Sequence, residues 1–132
     1  MRTDRFFDSN VVVYSFEADP IKSARSLELL SDGGIISVQV LNEFTNVSRK
    51  KQKNSWAAVA TSLQAIRRLC TVVPVTLEIH ERGLKIALDH KYAIYDSMIV
   101  AAALLSRCTT LYSEDMQDGQ VIDGLTIRNP YK

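Results

Sequence analysis

Short apolar runs alternate along this chain with stretches long enough for helices, and that alternation restricts its fold more than any other feature. "RFF" at 5–7, "IIS" at 35–37, "TVVPV" at 71–75, "TTLYS" at 109–113 and "LTIRNP" at 125–130 are the predicted strands. A first helix is predicted from "DP" at 19–20, with Asp19 as cap and Pro20 in its first turn, to the "SDGG" break at 31–34. A second, "VQVLNEFTNVSRKKQK", follows Ser37 as cap, and a third, "SWAAVATSLQAIRRLC", follows Asn54. Thr76 caps "LEIHERGLKIALDH", and a buried helix runs from about Asp96 to Arg107. Asn10 is suited to cap the segment after the first strand, and the glycines of "DGG" and "DGQVIDG" read as turn residues. Strands that alternate with helices in this way imply a parallel sheet covered by helices. In such sheets, sites lie beyond the carboxyl ends of the strands, where the strand order reverses.

The bulk properties narrow the class of function. With 132 residues, 46% of them hydrophobic and 23% charged, the chain reads as one globular domain spanning 1–132. A net charge of +1 excludes a protein that coats DNA through its overall charge, so a nucleic-acid substrate requires a local basic patch. Cys70 and Cys108 form no CxxC pair, which predicts reduced thiols and a cytoplasmic protein. The longest apolar run, "MIVAAALL" at 98–105, is far short of the roughly 20 residues that span a bilayer.

Four carboxylates stand where carboxylates are costly. Asp8 ends the first strand in "FFDSNVVVY", and Glu43 shares a helical stripe with Val40 and Val47. Asp96 heads "DSMIVAAALL", and Asp115 follows "TTLYS". A single such residue is accounted for by a helix cap or a buried ion pair, and Asp8 and Asp96 both lie near helix starts. Capping does not account for Glu43, inside its helix, and no arginine or lysine is embedded in these apolar segments as an obvious partner. Carboxylates converging on one sheet edge raise each other's proton affinity, and a divalent cation resolves that conflict. All-oxygen ligation favours Mg²⁺ or Mn²⁺ over zinc and suits phosphodiester hydrolysis by activated water.

Other chemistries find less support. His80 and His90 have no cysteines at zinc-site spacing, and neither a GxxxxGK[ST] loop nor a G-x-S-x-G elbow is present. Arg49, Lys50, Lys51 and Lys53 in "RKKQK" are either contacts to an RNA backbone or a solvated helix end favoured by its dipole. Trp56 reads as core or interface packing, because "WAAVATSLQAI" is amphipathic.

Together these segments resemble the PIN-domain ribonucleases, in particular the VapC-type toxins of bacterial toxin–antitoxin pairs. "FFDSNVVVYSF", "ISVQVLNEF", "YDSMIVAAAL" and "TLYSEDMQDG" are similar, in order, to the four acidic segments of that family, and "GLTIRNPY" to its last strand. The resemblance implies a three-layer α/β/α sandwich around a mainly parallel sheet, and metal-dependent cleavage of RNA. It implies Asp8 and Asp96 as metal ligands, with Glu43 and Asp115 completing the acidic set and Asn10 and Ser113 orienting it. Asp118 is a second candidate for the place of Asp115, whereas Glu114 is expected to point away into solvent. Ser97 stands where many relatives carry alanine. The resemblance further implies a homodimer bound by a small antitoxin, with Mg²⁺ or Mn²⁺ as cofactor. A catalytically silent scaffold that binds RNA or protein, and a DNA-directed nuclease, are the alternatives.

Overall fold

The structure, a computed structural model, describes residues 2–132. Strand β1 (Arg5–Phe7) leads into α1 (Ser9–Tyr14) and α2 (Pro20–Ser31). Strand β2 (Gly34–Ser37) leads into α3 (Val38–Lys50) and α4 (Trp56–Leu69), and β3 (Cys70–Val73) into α5 (Leu77–His90) and α6 (Ile94–Leu105). Strands β4 (Thr110–Tyr112), β5 (Val121–Ile122) and β6 (Leu125–Arg128) complete the chain. The sheet has the order β3-β2-β1-β4-β6-β5, parallel except for the β5–β6 hairpin.

This order decides the layers. The chain steps outward from β1 to β2 to β3, then returns across the sheet to β4. Right-handed crossovers in opposite directions put α1–α4 on one face and α5–α6 on the other, the expected α/β/α sandwich. The packing agrees, since α1 packs on α2 and α3, α3 packs on α4, and α5 packs along α6. Strand order reverses between β1 and β4, whose register pairs Phe6 with Leu111 and Phe7 with Tyr112.

The apolar segments supply the core. Phe6, Phe7, Ile36, Leu111 and Ile127 are buried from the strands, and Ile99 to Ala103 form an unbroken buried run in α6. A helix apolar on all sides belongs between layers, and α6 packs against α5, β2 and β4. Gly83 admits this packing: a Cβ there would meet Met98 Cγ at 2.9 Å and its Cα at 3.2 Å.

Several local expectations change. Asp8, not Asn10, occupies the cap position of α1, because the helix begins immediately after β1. Ser37 occupies the cap of α3 without making the capping hydrogen bond, and α6 begins at Ile94, two residues before Asp96. Helix α3 ends at Lys50, so Lys53, with φ 56°, lies beyond it. Strand β5 was not predicted, although its turn is encoded: Asp123 (φ 49°) and Gly124 (φ 88°) form the two-residue "DG" connection to β6. Arg5 is an embedded arginine after all. It serves the end of α2, donating to the carbonyls of Gly33 (2.9 Å) and Leu29, and lies over the Phe7 and Tyr112 rings.

Gly34 is the tightest joint of the sheet. A Cβ there would lie 2.5 Å from Cε2 of Phe7, itself fully buried, and 3.2 Å from the Arg5 carbonyl. Gly34→Ala is therefore expected to destabilise the fold by about 1–3 kcal/mol, the usual cost of overpacking. Urea unfolding should show a lower midpoint at unchanged slope.

Candidate active site

Asp8 leaves β1 at the point where strand order reverses, with its backbone N–H donating to the Tyr112 carbonyl at 3.0 Å. Its side chain is 3% exposed. One oxygen accepts from the Ser9 N–H (2.7 Å) and the other from the Ser113 hydroxyl (2.8 Å). Burial pushes the Asp8 carboxyl up to about 7 against these bonds, and the charges of Glu43 and Asp96 add to the rise.

Glu43 lies inside α3, half-buried. Burial raises its proton affinity, as do the charges of Asp96 and Asp115, while Gln39 and the Ser9 hydroxyl favour its ionised form. Asp96 sits in the first turn of α6, raised first by burial and then by Asp115. Capping does not explain Asp96, because no hydrogen bond contributes to its shift. Asp8, Glu43 and Asp96 therefore each feel at least one other carboxylate of the set, and Asp115 acts on two of them. Arg5 is engaged at the end of α2, and Lys22 with Glu114.

The loop after β4 separates its three acidic residues. Asn10 donates to Asp115 at 3.1 Å, and the Asp115 N–H donates to the Ser113 hydroxyl at 3.2 Å. Ser113 thus touches both Asp8 and Asp115. Glu114 points away, as expected, but it is paired and not solvated. Lys22 Nζ lies 2.7 Å from it, and the Tyr14 hydroxyl donates to its other oxygen. Burial works against its charge, yet these bonds hold the Glu114 carboxyl below its ordinary range. Asp118 turns from the cluster and accepts the Asn129 N–H at 2.8 Å, fastening the loop to the end of β6.

Two supporting residues escaped the sequence reading. Gln39 donates to Glu43 (3.1 Å) and to the Tyr95 carbonyl (2.9 Å), locking α3 to the start of α6 and so Glu43 toward Asp96. The signal was its position one turn before Glu43. Lys22 carried no signal, because its partner is 92 residues away. Among the basic residues, Lys51 lines a cleft of about 230 Å³ with Asn10 and Asp115, while Arg49 and Lys50 line a separate groove with Trp56. Trp56 is 63% exposed, so core packing does not hold it.

Among the described residues, no three of His, Cys, Asp and Glu form a ready-made metal-binding group. The chemistry of the donors nevertheless fits a hard divalent cation: all are carboxylate oxygens, and neighbouring carboxylates raise the proton affinity of Asp8, Glu43 and Asp96.

A pH signature follows from Asp8. Its carboxyl titrates near 7 when folded and near 3.8 when unfolded, so between these values the folded chain holds a proton that the unfolded chain has released. Stability of the metal-free protein should be greatest below about pH 4 as far as this group is concerned, and fall as pH rises to about 7. The gap corresponds to on the order of 4 kcal/mol. Asp8→Asn should therefore raise the melting temperature at pH 8 and have little effect near pH 4, as measured by thermal unfolding in chelator.

The sequence matches the PIN domain family over residues 5–117, from β1 through β4 and including all four carboxylates. No curated protein matches the chain in sequence. Among solved structures it is similar to a toxin–antitoxin complex from Klebsiella pneumoniae, at TM-score 0.75 and 21% identity over 97% of this chain and 98% of that one. It is also similar to Mycobacterium tuberculosis VapC20, a sarcin–ricin loop cleaving toxin, at TM-score 0.68 and 17% identity over 84% and 91%. VapBC2 from Rickettsia felis, bound to a DNA fragment from its promoter, gives TM-score 0.70 and 20% identity over 95% and 97%. At these identities the likeness shows a shared fold, and the family match carries the assignment: the chain belongs to the PIN domain family.

Proposed function

We propose that the chain is a Mg²⁺- or Mn²⁺-dependent endoribonuclease and the toxin of a toxin–antitoxin pair. The observation that carries this reading is the convergence of Asp8, Glu43, Asp96 and Asp115 at the switch point of the sheet, with no basic side chain bonded to them among the described residues. A binding scaffold gains nothing from keeping four carboxylates that repel one another. Two structural relatives named above are a VapC toxin and a VapBC complex, and the first is a sarcin–ricin loop cleaving toxin. They support the same class for this chain, together with an antitoxin partner.

Asp8 and Asp96 would hold the cation, with Glu43 and Asp115 completing the set. The cation, when bound, supplies an activated water and offsets charge on the phosphate. Ser113 fixes Asp8 and, through its backbone bond, Asp115, and Asn10 fixes the Asp115 carboxylate. Glu43, half-buried and raised in proton affinity, is suited to take the proton from the attacking water. Water bonds to phosphorus as the bond to the leaving ribose oxygen breaks, and no covalent enzyme intermediate forms. Lys51, beside Asp115, is placed to contact a substrate phosphate.

The test compares purified wild type, Asp8→Ala and Asp96→Ala on matched RNA and DNA strands, with Mn²⁺ and with chelator. Wild type should cut RNA only with the metal. Each variant should lose at least roughly 100-fold, since even an outer partner of a metal ligand is worth about 10- to 100-fold. Either variant cutting RNA at the wild-type rate would overturn the assignment, and preferential cutting of DNA would redirect it. Mn²⁺ at 100 times its dissociation constant should also stabilise wild type by about 2.7 kcal/mol, an effect lost in Asp8→Ala.

A further inference from the structure

Helix α3 carries more than Glu43. Gln39, Asn42, Asn46 and Arg49 recur at spacings of three and four and form one ridge along it. At 1.5 Å per residue that ridge is about 15 Å long. Two concavities lie along it and share Asn42 and Asn46. One, of about 360 Å³, is lined by Gln39, Glu43 and Tyr95. The other, of about 450 Å³, is closed by Thr45, Arg49, Lys50 and Trp56. The two adjoin along α3, the first reaching Glu43 and the second reaching Trp56.

The far end is built in an unusual way. Trp56 is 63% exposed, although it is the bulkiest apolar side chain in the protein. The Arg49 guanidinium lies 4.4 Å from its ring centroid and donates to the Asn54 carbonyl at 2.9 Å. These contacts steady the indole and leave most of its surface open. Among the described residues, no hydrogen bond engages the amide of Asn42 or Asn46. The groove here contains amides, a hydroxyl, two cations and an aromatic ring, and no aliphatic side chain. Protein hot spots also favour tryptophan and arginine, but here the ring is flanked by amides and two cations, which suit a polar, anionic ligand. A stacking plane beside cations and free amides matches a single-stranded nucleic acid, whose bases stack, whose phosphates are anionic and whose base edges pair with amides.

We propose that this groove is a base-binding subsite for single-stranded RNA and sets where the strand is cut. A base stacks on the open side of Trp56, Asn46 and Asn42 read its polar edge, and Arg49 and Lys50 meet the adjoining phosphates. Asn42 and Gln39 then lead the strand toward Glu43. The inference rests on the ribonuclease reading of the acidic cleft and adds the residues that select the site of cleavage.

Trp56 is the only tryptophan in the chain, so its fluorescence reports on this subsite directly. The full chain carrying Asp96→Asn, to prevent cutting, is titrated with single-stranded RNA oligonucleotides and with an abasic strand of equal charge. Binding is followed in parallel by anisotropy of a labelled strand. Base-bearing RNA should quench Trp56 and the abasic strand should not. Trp56→Ala should weaken binding roughly 5- to 150-fold, the value of one base–aromatic stack, and Trp56→Phe should restore most of it. In the active protein, Trp56→Ala and Asn46→Ala should redistribute the cut positions on a random-sequence RNA. If wild type cuts RNA while Trp56→Ala binds it and cuts the same positions at the same rate, the subsite is refuted and the ribonuclease reading stands. A Trp56 signal that follows protein concentration without RNA would refute it in favour of a protein contact. Failure of wild type to bind or cut any RNA would remove both.

Discussion

The parallel pairing of β1 with β4 is the interaction on which the site depends. It brings the residue after Phe7 beside the residue after Tyr112, so that Asp8 and Ser113, 105 positions apart, share a hydrogen bond of 2.8 Å. The same pairing marks the reversal of strand order. On one side the chain winds through α1–α4, which carry Asn10 and Glu43, and on the other through α5–α6, which carry Asp96. Opposite crossovers leave a crevice at the carboxyl ends of the strands, and both helical layers deliver carboxylates to its rim. The register matters at single-residue precision, because a slip by one position in β4 would exchange the buried Leu111 for its neighbours and turn Ser113 away from Asp8.

Electrostatics set the character of that crevice. A buried carboxyl raised to about 7 is costly for a fold to maintain, and its two hydrogen bonds do not cancel the cost of burial. Glu43 and Asp96 are raised in the same direction. The loop after β4 treats its other acids differently. Glu114 is neutralised by Lys22, which lies over the Tyr14 ring at 4.5 Å, and Asp118 is bound to the backbone beyond β6. Those two contacts anchor the loop on either side of Asp115, so the loop acids that do not face the crevice hold the one that does.

The helix α3 links chemistry to substrate reach. Its amino-terminal half holds Glu43 through Gln39, and its carboxyl-terminal end presents Arg49 against Trp56. Lys51, just past the helix, lines one cleft with Asp115, whereas Lys53 has turned off the helix axis into positive φ. A basic run that looks uniform in sequence is therefore divided by a helix terminus into groups with different surroundings.

Local signals carried much of the architecture. Apolar runs, the Asp19 and Thr76 caps and the turn glycines Gly33, Gly119 and Gly124 depend on neighbours a few residues away, and each reads the same way in the structure. Gly34, also expected in a turn, instead opens β2, because its missing Cβ admits the Phe7 ring. The carboxylates were legible because an acid on an apolar face is anomalous without any knowledge of the fold. The partners of long, flexible side chains were not legible. Lys22 reaching Glu114, Arg5 closing α2 and Arg49 lying on Trp56 all depend on which elements become neighbours. Asp118 and Asp115, three residues apart, differ only in which way the loop turns them, and that is decided by Asn10 on one side and Asn129 on the other. The sequence by itself determined the order of the longer helices and of every strand but β5, the buried helix α6 and the four anomalous acids, since these follow from periodicity and the cost of burying charge. Only the tertiary structure decided which acids meet, because convergence across a parallel sheet is a property of strand order and register, to which no local stretch of chain is sensitive.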